Sequence, residues 1–124
     1  MAQEDIRETK TQLWEILVPC HRNNGKPYRT RHHRQWDKQV IRVTGGMTIM
    51  KPTIGYWQNE QIGVGPGGDD NPIYRDRMIP VRIACTSKQM DEIIRRTLIH
   101  YPDQEAVMAY MVSEEVRIVH RGIQ

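Results

Sequence analysis

Residues 63–68 read GVGPGG, a match in letters to G-x-G-x-x-G. In a dinucleotide-binding unit such glycines bring backbone N–H groups close to a pyrophosphate, and a helix start directly behind them supplies positive charge. Here Asp69, Asp70 and Pro72 follow, and then the strand-like run IYRDRM. Two carboxylates repel a pyrophosphate, and this continuation does not begin a helix. The segment 58–72 therefore reads as a long hairpin loop. Loops of that length are commonly functional or disordered, so a mobile lid over a neighbouring site is the expectation. The residues flanking it carry more chemistry. Gly55, Tyr56 and Trp57 stand at the loop entrance, where the rings form either an aromatic wall for a flat ligand or a core contact. Asp76 lies between Arg75 and Arg77, and Glu105 opens the last apolar run. Both acids suit a site or an ordinary ion pair.

The densest basic cluster is RTRHHRQWD, residues 29–37. His32 and His33 are adjacent, so on a helix they point about 100° apart and do not share a metal, and no two-histidine ligand spacing occurs nearby. No metal is expected. Cations are poorly placed at a helix start. Arg29, Arg31 and Arg34 are thus either solvated or facing an anion: a phosphate, a ligand carboxylate or a partner subunit. A nucleophilic site is poorly supported. Ser87 fits a helix start and Ser113 a strand end, while Cys20 and His21 are strand neighbours that point to opposite faces.

These groups must be positioned by a small scaffold. A chain of 124 residues suits one domain, so a site at a subunit boundary is a natural expectation. Lys and Arg number 18 against 15 Asp and Glu, for a net charge of +3. That balance permits nucleic-acid binding without the concentrated basic stripe of a dedicated binder. The final strand has only Tyr110 where base-stacking aromatics would be needed, and Phe is absent, so nucleic acid is not the expected partner. The two cysteines read as buried thiols in a reducing compartment. No apolar run approaches the ~20 residues that span a bilayer, and the polar N-terminus lacks a hydrophobic signal region. A cytoplasmic protein without membrane contact is expected.

Residues 1–11 are charged without apolar period and read as a disordered arm before a single domain, 12–124. LWEILVPC (13–20) is apolar on both faces and suits a central strand. Residues 21–32 form a loop. A helix over 33–44 buries Trp36, Val40 and Val43 and ends at Gly45. Residues 47–57 form a strand interrupted by Pro52, which favours a sheet edge or a bulge. Residues 73–86 form a long strand. Thr86 with Gln89 makes a capping box for a second helix, whose buried stripe is Met90, Ile93, Ile94 and Leu98 and whose end is marked by Pro102. A last strand spans 105–120, with a bend at SEE. The order β-α-β-β-α-β is the ferredoxin-like α+β pattern: a four-stranded antiparallel sheet with both helices on one face. The other face then needs a cover. Self-association through the sheet provides one, giving a homodimer or homotrimer.

Three segments carry a resemblance: GYW (55–57), YRDRMIPVRIACTSKQ (74–89) with its V-R-x-x-C strand, and DQEAVMAY (103–110). In this order the chain resembles phage-encoded S-adenosylmethionine lyases. With GGMT (45–48) before GYW it also resembles small uncharacterised ferredoxin-like proteins. The likeness spans roughly residues 13–112 as a pattern of elements. It implies a trimer similar to the PII signalling proteins, with ligand between subunits, no cofactor, and a place in a phage host's cytoplasm. It also implies a reaction in which the substrate's own carboxylate displaces the sulfonium, giving methylthioadenosine and homoserine lactone. A tethered nucleophile needs mainly to be held in its reactive conformation. The family's tyrosine near the glycine-aromatic turn corresponds to Tyr56, although Trp57 aligns as well. Its glutamate ahead of the V-R-x-x-C strand has no equivalent, and Asp76 is the nearest acid, one methylene shorter. The candidate site is therefore Tyr56 and Asp76 as catalytic groups, with Trp57, Arg75, Gln104, Glu105 and Arg31 as ligand contacts. Two other readings stand beside it: a non-catalytic ligand-binding or assembly protein of the same fold, and a basic nucleic-acid-associated protein.

Overall fold

The computed structural model describes residues 6–58 and 73–122. The GVGPGG segment lies outside them. The elements are β1 (Ile6–Pro19), α1 (Thr30–Thr44), β2 (Thr48–Ile49), β3 (Thr53–Gln58), β4 (Ile73–Cys85), α2 (Ser87–His100) and β5 (Ala109–Arg121). All strand pairs are antiparallel, and the sheet order is β2-β4-β1-β5, with β3 also on β4. Thr48 faces Arg82 and Thr53 faces Met78, so β2 and β3 are two halves of one edge strand. The break spans Met50 to Pro52, as the proline predicts, because its nitrogen has no hydrogen to donate to a ladder. Five strand segments thus fill the four positions of a ferredoxin-like sheet.

The central strand is longer than expected. β1 begins at Ile6, and its first residues pair with β5, Ile6 opposite Arg121 through Thr11 opposite Val116. This corrects the disordered arm over residues 6–11; residues 1–5 lie outside the described region. Ile6 to Lys10 are all exposed, so no apolar alternation marks this stretch. Backbone pairing holds it, and Glu8 with Arg117 and Lys10 with Glu115 bridge the two strands. Opposite Ser113 the register shifts between Thr11, Leu13 and Trp14. There Ser113 Oγ donates to the Glu115 carbonyl at 2.8 Å. The bend predicted at SEE is this irregularity, and β5 continues through it.

Both helices cover one face. Ile16 and Val18 of β1 and Val81, Ile83 and Cys85 of β4 meet Trp36 and Val40 of α1 and Met90 and Ile93 of α2 in one buried cluster. Gly45 ends α1 with φ at 91°, a left-handed value that glycine adopts without steric cost. Thr86 Oγ1 accepts the Gln89 N–H at 3.1 Å, and Gln89 Oε1 accepts the Thr86 N–H at 2.9 Å. Gln89 Nε2 also donates to the Val43 carbonyl at 3.0 Å, tying the start of α2 to the end of α1. The buried stripe of α2 differs from expectation at one position. Leu98 is exposed and Thr97 is buried in its place. The Thr97 hydroxyl accepts Trp36 Nε1–H at 2.9 Å and donates to the Ile93 carbonyl at 2.6 Å, so burying it leaves no orphaned polar atom. Both cysteines are free thiols, and burial pushes Cys85 up to about 11. No described helix is long and apolar enough to cross a membrane.

On the opposite sheet face Glu15 is buried and accepts Arg82 Nε–H at 3.1 Å. Met108, Tyr110 and Val112, which alternate onto this face at the β5 edge, stay exposed.

Candidate functional site

The chain brings the expected site residues to one end of the sheet, along two different structures. The first is the β3–β4 hairpin. Tyr56 pairs with Arg75, and Gly55 pairs with Asp76. Directly opposed residues share a face and successive residues alternate. Tyr56 and Arg75 therefore lie on the helix side of the sheet. Asp76, Gly55 and Trp57 lie on the side of Glu15 and Arg82. The two proposed catalytic groups thus do not share a face within one chain. Tyr56 is 67% exposed, and Arg75 is exposed as well. Trp57 lies over Gly55: a methyl group at that glycine would sit 2.7 Å from Trp57 Nε1. In this position the indole rests where a side chain at residue 55 would otherwise stand, so any larger residue there would have to displace the ring. Asp76 is partly buried, which raises its carboxyl above the usual value, while the Arg77 backbone N–H and His21 oppose that rise.

The second structure joins the start of α1 to the end of α2. His32 and His100 stack with ring centroids 4.0 Å apart. His32 Nε2 meets the His100 carbonyl at 2.7 Å, and His100 Nε2 meets the His32 carbonyl at 2.6 Å. A carbonyl only accepts, so each Nε2 carries its hydrogen and donates. Tyr101 is fully buried, and burial pushes its hydroxyl far above the ordinary value. It keeps its proton and donates it to His33 Nδ1 at 2.7 Å. Tyr28 packs against His32 at 5.1 Å and against Tyr101 at 5.0 Å, and the Arg22 guanidinium lies 5.1 Å over its ring. Burial lowers both His32 and His33, with neighbouring histidines adding to the effect and the His100 carbonyl opposing it at His32.

The remaining expected contacts divide between these structures and solvent. Gln104 reaches the helix-end cluster. Its N–H donates to the Tyr101 carbonyl at 3.0 Å, and its side chain lies near the buried Tyr28 hydroxyl without a well-formed hydrogen bond. Glu105 is exposed. Arg31 is exposed in the first turn of α1 and lines a cavity of about 500 Å³ with Arg22, Lys26, Arg29 and His32. Sequence reasoning missed Tyr28, His100 and Tyr101 as partners of His32 and His33. Spacing on one helix carries no signal for a cluster assembled from a loop and two helices. Among the described residues no group of three metal-ligating side chains comes together.

No family model and no curated protein matches this sequence. Solved structures do. A phage SAM lyase in complex with S-methyl-5'-thioadenosine is similar with a TM-score of 0.61 at 8% identity, over 92% of this chain and 90% of that one. CutA from Synechococcus elongatus is similar at 0.55 and 12%, over 94% and 85%. A divalent cation tolerance protein from Thermus thermophilus is similar at 0.50 and 13%, over 89% and 82%. At these identities the likeness establishes the fold, a ferredoxin-like α+β domain shared with the phage lyase and CutA.

Proposed function

We propose that this protein binds an adenosine-type small molecule, S-adenosylmethionine first among them, at a boundary between copies of the chain, and cleaves it. The observation carrying this reading is the register of the β3–β4 hairpin, which presents Tyr56 with Arg75 on one side and Asp76 with Trp57 on the other. One chain cannot close both pairs on a single ligand; two chains can. The exposed Met108, Tyr110 and Val112 on the open sheet face support assembly. The likeness in fold to a lyase holding S-methyl-5'-thioadenosine supports the ligand class. In the reaction a carboxylate oxygen of the substrate bonds to the carbon bearing the sulfonium. The C–S bond breaks with its electron pair left on sulfur, and methylthioadenosine and homoserine lactone result. Trp57 and the carboxylate of Asp76 would steady the cationic sulfonium, and Arg75 would orient the substrate carboxylate.

Incubating the purified protein with S-adenosylmethionine should release methylthioadenosine. No product, together with no thermal shift from adenosine ligands, would sink the reading. The composite site has its own test. Tyr56→Phe and Asp76→Asn should each lower turnover, and mixing the two variants under subunit exchange should restore about a quarter of the wild-type rate. No restoration on mixing would place both residues in one chain's site or in none. A non-catalytic ligand-binding or assembly protein is the second reading, favoured by the shorter acid at position 76. Ligand-induced thermal stabilisation without turnover would select it.

A further inference from the structure

The cavity at the loop 22–29 and the first turn of α1 lies outside the hairpin, and the reading above makes no use of its charge. It is lined by Arg22, Lys26, Arg29, Arg31 and His32, with Asn24 and Gln35 adding amides. It is an open hollow of about 500 Å³ whose lining residues, His32 apart, are all exposed, so an ion held there keeps part of its surface in water. Three observations bear on its occupant. First, ion pairs among the described residues engage cations elsewhere, Arg82, Arg95 and Arg96 among them, and none engages the four cations of this cavity. The nearby Asp103 instead accepts the Asn23 N–H, at 3.4 Å. Second, the cations come from two elements that the fold draws together. The loop is closed by Arg22 N–H donating to the Lys26 carbonyl at 2.8 Å, and Tyr28 N–H donates to the Cys20 carbonyl at 3.0 Å. The positive charge is therefore gathered by the backbone, against its own repulsion. Third, the His32 ring is fixed by donating Nε2–H to His100, which leaves Nδ1 without a partner among the described residues.

We propose that this cavity is a binding site for a small phosphate-bearing anion, a mono- or oligophosphate, held by Arg22, Lys26, Arg29 and Arg31. Guanidinium groups pair with phosphate oxygens two at a time, and four cations around one hollow suit an ion that carries more than one negative charge. His32 Nδ1 offers a further contact once it carries a proton. The proposal stands apart from the β3–β4 hairpin: Arg31 is the one residue it shares with the ligand contacts expected from the sequence, and the composite hairpin site does not use it.

Titration calorimetry with inorganic phosphate, pyrophosphate and ADP should give saturable binding of one ion per chain, tighter for pyrophosphate than for phosphate. The ring signals of His32 should move on saturation. Arg29→Gln combined with Arg31→Gln should weaken pyrophosphate about tenfold or more. Lys26→Gln, at an exposed turn with no packing role, provides a second variant should the first fail to fold. Removing the same charge at the other end of the helices, with Arg42→Gln and Lys88→Gln, should leave binding within about twofold. Absence of saturable binding by any of the three anions would overturn the site. Equal weakening by the distant pair would reduce it to a diffuse field. Duplex DNA binding that is tighter than pyrophosphate and falls steeply with salt would reassign the surface to nucleic acid.

Discussion

The helix-end cluster and the β3–β4 hairpin stand at the same end of the sheet and are held by different forces. In the cluster, His32, His33, Tyr28, His100 and Tyr101 pack ring on ring, and hydrogen bonds run between segments some 68 positions apart in the chain. The hairpin is held by its ladder and by one indole lying over one glycine, with Tyr56 and Arg75 left in solvent. Stability therefore belongs to the first region. The second is free to spend its side chains on a ligand or on another copy of the chain.

The largest effect that would sharpen this contrast is at Trp36, fully buried and bonded to Thr97. Trp36→Ala should cost about 3–5 kcal/mol in urea unfolding, and a loss under about 1 kcal/mol would break the assignment of stability to this end. Tyr101→Phe should cost about 1–3 kcal/mol, because His33 Nδ1 loses its donor in a half-buried place. Third comes pH. His32 and His33 are held below the ordinary 6.5, chiefly by burial, so the folded chain binds fewer protons there than the unfolded one. Stability should fall as pH drops through about 6.5 and level off once the folded histidines are charged. His33→Gln should flatten that part of the profile, and an unchanged profile would remove His33 from it. Asp37 and Asp76, held above 3.8 by burial, act in the opposite sense in more acid solution.

At the hairpin the expected stability changes are smaller and the local ones larger. Gly55→Ala should displace the Trp57 ring and change its fluorescence and near-UV dichroism, while the unfolding free energy moves by about 1 kcal/mol or less. An unaltered Trp57 signal would show that the indole does not rest on the glycine. Tyr56→Phe should change stability least, within about 0.5 kcal/mol, since the ring is exposed. Any larger loss would mean that the hydroxyl is engaged in assembly.

Much of the fold was legible because local rules are strong where they act. Gly45 ends α1, Thr86 and Gln89 cap α2, and Pro52 splits the edge strand, each by chemistry confined to a few residues. The first half of β1 was not legible. Neither of its faces is buried, so pairing with β5 leaves no hydrophobic pattern to read. Leu98 is exposed and Thr97 buried because apolarity alone does not decide the stripe, and a threonine that finds two hydrogen-bond partners is as easily buried.

The candidate site divides in the same way. Residue types and order were enough to point to Tyr56, Trp57, Arg75, Asp76, Gln104 and Arg31, and to a ferredoxin-like chain that carries them to one end of a sheet. Which of them can act together was decided by register. A shift of one position across an antiparallel ladder turns a side chain to the other face, and that put Tyr56 and Asp76 on opposite sides. The histidine and tyrosine cluster was decided by tertiary packing alone. Its members come from a loop and from opposite ends of two helices, and only their shared burial brings them into contact.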